Sequence, residues 1–276
     1  MLISSLQNTR VKNVTRLNNR RYRDEQKLTV VEGLRETSRA LQAGIIPQEA
    51  YLCADLLAGD EAGDVVGKLT RLNQQGATEL FEVTSPVFAK MAYRGSSGGI
   101  LLVIAYQERS MDELLRAESP FLIVVDGAEK PGNVGAILRT ADAAGVDGLI
   151  ISESSGSGTD IHNPNVIRAS LGTIFTIPII SLPATEAVDW LKRAGIKIVA
   201  TTPRAGELYT DVALTGPIAV VMGSEAFGLD EVWLETADLQ VRIPMFGVVD
   251  SLNLSVSTAL ILYEVVRQRN VSLDAF

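Results

Sequence analysis

The 276-residue chain predicts an α/β protein of two domains, the second built on a mainly parallel sheet. Three observations carry that expectation. From residue 120 onward, short apolar runs alternate with stretches of helical pattern: FLIVV (121–125), GLII (148–151), IFTIPI (174–179), IKIVA (196–200) and IAVVM (218–222) are separated by helical patterns at 134–144, 164–171 and 184–194. Such alternation marks parallel strands covered on both faces by helices. A smaller set of strand and helix patterns fills residues 1–106. Between the two lies QERSMDELLRAES (107–119), charged and only briefly helical. The expected layout is therefore a first α/β domain over 1–106, a linker over 107–119 and a second domain over 120–276.

In the first domain, residues 7–23 set Val11, Val14 and Leu17 among arginines, a weakly amphipathic helix. KLTVV (27–31) is an expected strand. Glu32-Gly33 leads into a helix, LRETSRALQAG, closed by Gly44. Further strands are expected at 50–53, 79–83 and 100–104, with a helix at 63–75. The loop RGSSGG (94–99) suits either a contact to a polyanion backbone or an ordinary connection.

The stretch from 218 onward holds the densest functional signal. IAVVM stops at Gly223, and the acidic Glu225 precedes a second glycine, Gly228, so the backbone is free to turn tightly beside a carboxylate. LQVRI (239–243) ends at Pro244, which cannot donate to a ladder. MFGVVD then leads into the helical pattern SLNLSVSTALILYEVVRQR, with apolar Val256, Ala259, Leu260 and Tyr263 at helical spacing and Asp250 or Ser251 as the natural N-cap. Strand ends and a helix start thus converge, and open α/β sheets bind ligands at the carboxyl ends of their strands.

Composition narrows the partners. The net charge is −8, yet residues 1–40 hold nine basic side chains against four acidic ones, net +5, leaving −13 for the remainder. A basic head on an acidic body is compatible with polyanion binding by the head and equally with a solvated helix face. The chain contains one cysteine, Cys53, and one histidine, His162, which excludes an internal disulfide and a Cys/His metal cluster. No run of 18 apolar residues and no apolar segment near residue 1 occur, so a cytoplasmic protein without a membrane span is expected.

Several chemistries lack their equipment. DGAEKPGNVGAILRTADAAG does not match the G-x-G-x-x-G dinucleotide fingerprint, and Gly156-Ser-Gly158 lacks its third glycine. Neither a G-x-x-x-x-G-K-[ST] loop nor a G-x-S-x-G elbow is present. What remains is a pocket of backbone-rich loops with Asn133, Arg139, Glu225, Ser251 and Asn253 as its polar residues, Asn133 at the start of the first helix of the second domain and Arg139 within it.

Three segments resemble the motifs of the SpoU-type (TrmH-like) RNA 2′-O-ribose methyltransferases of the SPOUT superfamily. They are Asn133-Val-Gly-Ala-Ile-Leu-Arg139-Thr-Ala, Val221-Met-Gly-Ser-Glu225-Ala-Phe-Gly228, and Ile243-Pro-Met followed by Ser251-Leu-Asn253-Leu-Ser-Val-Ser257. The order is that of the family, and the match spans about residues 120–270. Asn163-Pro-Asn-Val-Ile-Arg168-Ala-Ser170 resembles the family's N-P-x-x-x-R-x-S segment, and the region around Val31-Glu32-Gly33 is similar to its small substrate-binding domain. Ser257 and Thr258 stand where alanine is common in the family.

The resemblance implies a trefoil knot in the second domain, S-adenosyl-L-methionine as methyl donor, an RNA substrate and a homodimer packed through the C-terminal helices. It assigns Gly223, Ile243 and Leu252 to the donor, with Met245 beside them. Asn133, Arg139, Glu225, Ser251 and Asn253 become the polar set around the reaction, and no metal is implied. The family's proposed base matches Arg139, but an arginine stays cationic at neutral pH. Holding a phosphate or stabilising charge on the oxygen is the alternative role for Arg139. Ribosomal RNA is the expected substrate; transfer RNA, or an RNA-binding protein of the same fold without activity, is the alternative.

Overall fold

The computed structural model describes residues 1–93, 98–128, 130–153 and 159–269. Most of the 94–99 loop, the Gly156-Ser-Gly158 loop and Asn270 at the end of the C-terminal segment lie outside the described residues. The chain divides into two compact units, residues 1–107 with 160–176, and residues 108–159 with 177 onward. The first unit therefore takes in residues 160–176, which the sequence places beyond the linker. Among the described residues, no helix is long and apolar enough to cross a membrane.

The first unit contains β1 (Leu2–Ile3), α1 (Thr9–Arg16), α2 (Arg20–Gln26), β2 (Leu28–Glu32), α3 (Leu34–Gln42), β3 (Glu49–Leu52), α4 (Asp60–Gln74), β4 (Glu79–Val83), α5 (Ser85–Met91) and β5 (Ile100–Ala105). Its sheet runs β1-β4-β3-β5-β2, with β5 antiparallel to both of its neighbours. The helix expected over 7–23 is broken into α1 and α2, because Asn19 caps a new helix by accepting from the Tyr22 amide at 3.3 Å.

Segment 160–176 is built into this unit. Buried Arg23 pairs with Asp160, Thr29 Oγ1 donates to the His162 carbonyl at 2.6 Å, and Arg39 Nη1 donates to the Leu171 carbonyl at 2.6 Å. Ile167 and Phe175 join the cluster of Val31, Leu69 and Leu102. The segment carries the helix α7 (Pro164–Ala169) and a 3-10 turn at Thr173–Phe175.

The second unit contains β6 (Phe121–Asp126), α6 (Pro131–Ala143), β7 (Gly148–Glu153), β8 (Ile179–Pro183), α8 (Ala184–Arg193), β9 (Lys197–Thr201), β10 (Glu207–Leu208), β11 (Ile218–Met222), α9 (Glu231–Thr236), β12 (Leu239–Arg242) and α10 (Leu254–Gln268); α7 (Pro164–Ala169) lies in the first unit. The strands order β10-β12-β9-β11-β6-β7-β8, and every pairing is parallel. β6 and β11 are buried along their whole lengths, which explains their unbroken apolar texture.

Two expectations need correction. IFTIPI is not a strand: residues 173–175 form the 3-10 turn and β8 begins at Ile179, since β-branched runs do not distinguish a buried turn from a strand. The C-terminal helix is capped by Asn253, not Asp250 or Ser251; its side chain accepts from the Ser255 amide at 3.0 Å. Nor does the stripe chosen from the sequence face the core. Leu254, Ile261, Leu262 and Val265 are buried, whereas Val256, Leu260 and Tyr263 are exposed.

Candidate active site at the carboxyl ends of the second sheet

β6 leads to β7 and β8 on one side, while β9, β11 and β12 lie on the other, so the strand order reverses beside β6. At such a switch point, loops leaving adjacent strands diverge and open a crevice. Here the crevice is a hollow of about 520 Å³. Its walls are Thr201 to Arg204 after β9, Gly223 to Leu229 after β11, and Ile243, Met245, Asp250, Ser251 and Leu252 after β12.

The loop after β11 is a tight turn. The Ser224 amide donates to the Gly228 carbonyl at 2.9 Å and the Gly228 amide donates back to the Ser224 carbonyl at 3.0 Å. Gly228 has φ +74°, a left-handed conformation that favours glycine. Gly223 is glycine for another reason: a Cβ there would lie 2.3 Å from the Gly228 carbonyl carbon and 2.4 Å from the Leu229 nitrogen. The turn is folded directly onto the strand end, which presents Glu225 beside the hollow.

A buried network beneath the turn holds it in place. Asp126, at the end of β6, accepts from Ser152 Oγ at 2.9 Å and from the Asp230 amide at 3.1 Å. The buried Trp233 indole in turn donates to Ser152 Oγ at 3.2 Å. Asp230 itself caps α9, accepting from the Val232 amide at 3.1 Å. The far end of the Glu225 turn is thus fastened to the central strand through a carboxylate. Sequence reasoning missed Asp126, Ser152 and Trp233; the available signal was the carboxylate ending the otherwise apolar FLIVVD.

Three predicted polar residues come together. Asn133 Nδ2 donates to Glu225 Oε1, and Asn253 Nδ2 donates to Asn133 Oδ1 at 3.1 Å. Asn253 is fixed by Ser255, whose Oγ donates to Asn253 Oδ1 at 2.7 Å. A chain of amide and carboxylate groups therefore joins the first turn of α6, the β11 loop and the start of α10.

Ser251 lies on the hollow wall and is exposed. Arg139, nearly two turns along α6 from Asn133, is exposed and makes no hydrogen bond or ion pair with another described residue. Gly223, Ile243, Met245 and Leu252 all line the hollow. Asn163 caps α7 and Ser170 is buried, donating to the Ile167 carbonyl at 2.6 Å; both belong to the first unit.

The residues present suit a nucleoside sulfonium. Apolar Met222, Ile243, Met245, Leu252 and Leu254 offer contact surface, Glu225 and Asp250 offer negative charge, and Arg204 offers a cation for a carboxylate. The volume is in the range of small-molecule sites.

Comparison with known proteins agrees with this geometry. A model of the SpoU rRNA Methylase family matches residues 120–263, and one described as the MRM3-like substrate binding domain matches residues 8–102. The 23S rRNA (guanosine(2553)-2′-O)-methyltransferase RlmP of Bacillus subtilis is 28% identical over 264 residues, covering 95% of this chain and 97% of its own. A crystal structure of an RNA 2′-O ribose methyltransferase superposes with TM-score 0.82 at 40% identity, over 97% of this chain and 99% of that one. An AdoMet-bound rRNA methyltransferase from Sinorhizobium meliloti superposes with TM-score 0.86 at 28% identity, over 97% of each chain.

Proposed function

The chain belongs to the SpoU rRNA methylase family, and from that premise we propose that the Asn133–Glu225–Asn253 chain holds an acceptor ribose at the mouth of the 520 Å³ hollow. The activity is S-adenosylmethionine-dependent 2′-O-methylation of RNA, with ribosomal RNA as substrate. The observation that carries the site assignment is the hydrogen-bonded joining of three loops beside a hollow walled by strand ends.

Bound S-adenosylmethionine supplies an already activated methyl group. The protein's task is then alignment and control of one proton. Gly223, Ile243, Met245 and Leu252 hold the donor, with Ser251 shaping the loop over it. Glu225 and Asn133, each fixing the other, orient the ribose hydroxyls; Asn253 locks Asn133 so that its amide cannot rotate away. Arg139 stabilises negative charge growing on the 2′ oxygen or holds the neighbouring phosphate, and its exposure on α6 leaves it open to RNA.

The same reading extends to architecture. After β12 the chain returns to pack α10 on α6 and β11. Its end is pinned by Gln268 Nε2 to the Val212 carbonyl at 3.0 Å and by Arg269 Nη2 to the Gly216 carbonyl at 2.6 Å. A carboxyl-terminal helix whose last residues are hydrogen-bonded to the 212–216 connection is consistent with a trefoil knot. Val256, Leu260 and Tyr263, apolar and uncovered on α10, support a homodimer through that helix. A cytoplasmic location follows from a ribosomal RNA substrate.

Incubation with tritiated S-adenosylmethionine and unmodified ribosomal RNA tests the function. Label should enter the RNA at a ribose, protecting one phosphodiester from alkaline cleavage. Binding of RNA without transfer of label would leave only an inactive RNA-binding protein of this fold.

A further inference from the structure

We propose that Phe227 and Phe246 receive the nucleobase of the acceptor nucleotide, stacking it outside the donor hollow while its ribose faces the methyl group. The proposal rests on the placement of that ribose at Asn133, Glu225 and Asn253.

Phe227 is 86% and Phe246 96% exposed, and Val248 beside the latter is wholly open to solvent. Rings this bare, carried on the two loops after β11 and β12 that wall the hollow, offer a surface to a ligand. The Phe227 backbone is held in place. The Phe227 amide donates to Ser224 Oγ at 3.1 Å, so the ring stands on the Ser224–Gly228 turn two residues past Glu225, at the edge of the hollow. Phe246 follows Met245, a wall residue, on the connection that runs to Asn253.

The two loops bearing the rings are therefore the two whose polar groups are joined through Asn133. A ribose seated on that polar set carries its base on the carbon next to the one bearing the reacting hydroxyl. Its base falls among the same loops.

The chemistry is well served by such a surface. A donor recessed between loops is reached most directly by a nucleotide of a single strand or loop, whose base is free to leave its stack. An unstacked base then needs apolar faces, and phenylalanine rings supply them without choosing between bases. The uncovered stripe of α10, Val256, Leu260 and Tyr263, is a separate surface and the one assigned above to a second copy.

The test uses the full-length protein, unmodified ribosomal RNA and tritiated S-adenosylmethionine, with Phe227→Ala, Phe246→Ala, Phe246→Leu and Phe246→Trp. Each alanine should lower kcat/KM for RNA by roughly ten-fold or more, the loss seen when base-stacking aromatics are truncated. Phe246→Trp should keep most of the activity and Phe246→Leu should not. For the Phe246 variants, whose ring is not part of the hollow's wall, donor affinity by calorimetry and sedimentation behaviour should match the wild type.

Alanine variants within two-fold of wild type overturn the proposal, as does rescue by leucine equal to tryptophan. Loss of activity that tracks dissociation in the centrifuge would instead make the rings a contact between copies. A wild-type protein that methylates no RNA removes the functional reading itself, and this one with it.

Discussion

At the scale of single residues, the site separates into groups that touch reactants and groups that hold them. Arg139 is proposed for the first kind, being exposed and without a protein partner among the described residues, so Arg139→Ala should leave donor binding by calorimetry intact while methyl transfer falls by 100-fold or more, about the size of losing one preorganised stabiliser of a developing oxyanion. Full transfer by that variant would dismiss the role. Asp126 is of the second kind. Replacing it by alanine strands Ser152, the Asp230 amide and, through Ser152, Trp233, so urea unfolding should lose about 3 kcal/mol, the scale of hydrogen bonds to a buried charge. Donor affinity should weaken with it, because the turn carrying Glu225 is fastened there. Asn133, Glu225 and Asn253 could be singled out in the sequence as polar types, but only coordinates place them in one hydrogen-bonded chain. Asp126 was hidden because a carboxylate ending a strand has the same sequence signature as any turn residue.

At the scale of elements, the strands of the second sheet were legible because both faces are buried, leaving apolar runs such as IAVVM that need no alternation. The turns were legible only where glycine must be glycine. Gly223 shows why: its missing side chain is where the backbone of Gly228 and Leu229 lies. Gly223→Ala should push that turn off the strand end and abolish donor binding in calorimetry with the fold retained by circular dichroism; unchanged affinity would mean the turn does not form the donor's wall. α10 was legible as a helix yet not in its facing, since it is apolar on two sides and periodicity alone cannot say which side meets the core. Its open side gives a further expectation. If the proposed dimer packs through this face, Leu260→Glu, with Leu260 38% exposed, should convert it to a monomer in sedimentation with little change in the unfolding midpoint of the isolated subunit.

At the scale of the whole molecule, the succession of two α/β units was legible from the change of texture near residue 107, but the membership of 160–176 was not. That segment is tied to the first unit by contacts far apart in sequence, and no local pattern announces them. His162 offers a way to measure the tie. Its ring stacks on Tyr106 with centroids 3.4 Å apart and planes 9° apart, while the Tyr106 hydroxyl donates to Asp24 at 2.9 Å. Burial is the main influence on the imidazole and lowers its pKa from 6.5 to about 4, with Arg23 and Lys27 pressing the same way and Asp24 opposing them. A folded value below the unfolded one means that protonation favours the unfolded chain. The stability that neutral His162 represents is therefore complete above about pH 6.5, declines as pH falls through that value, and is fully lost by about pH 4. The gap corresponds to roughly 3 kcal/mol. His162→Phe keeps a ring against Tyr106 but cannot take a proton, so the difference in unfolding free energy between variant and wild type should grow steadily in the variant's favour from pH 6.5 down to pH 4 and then level off. A difference that stays flat across that window would show that the 160–176 segment opens to water before the histidine titrates, and that its seat in the first unit is weaker than the Arg23–Asp160 pair and the Thr29 and Arg39 hydrogen bonds indicate.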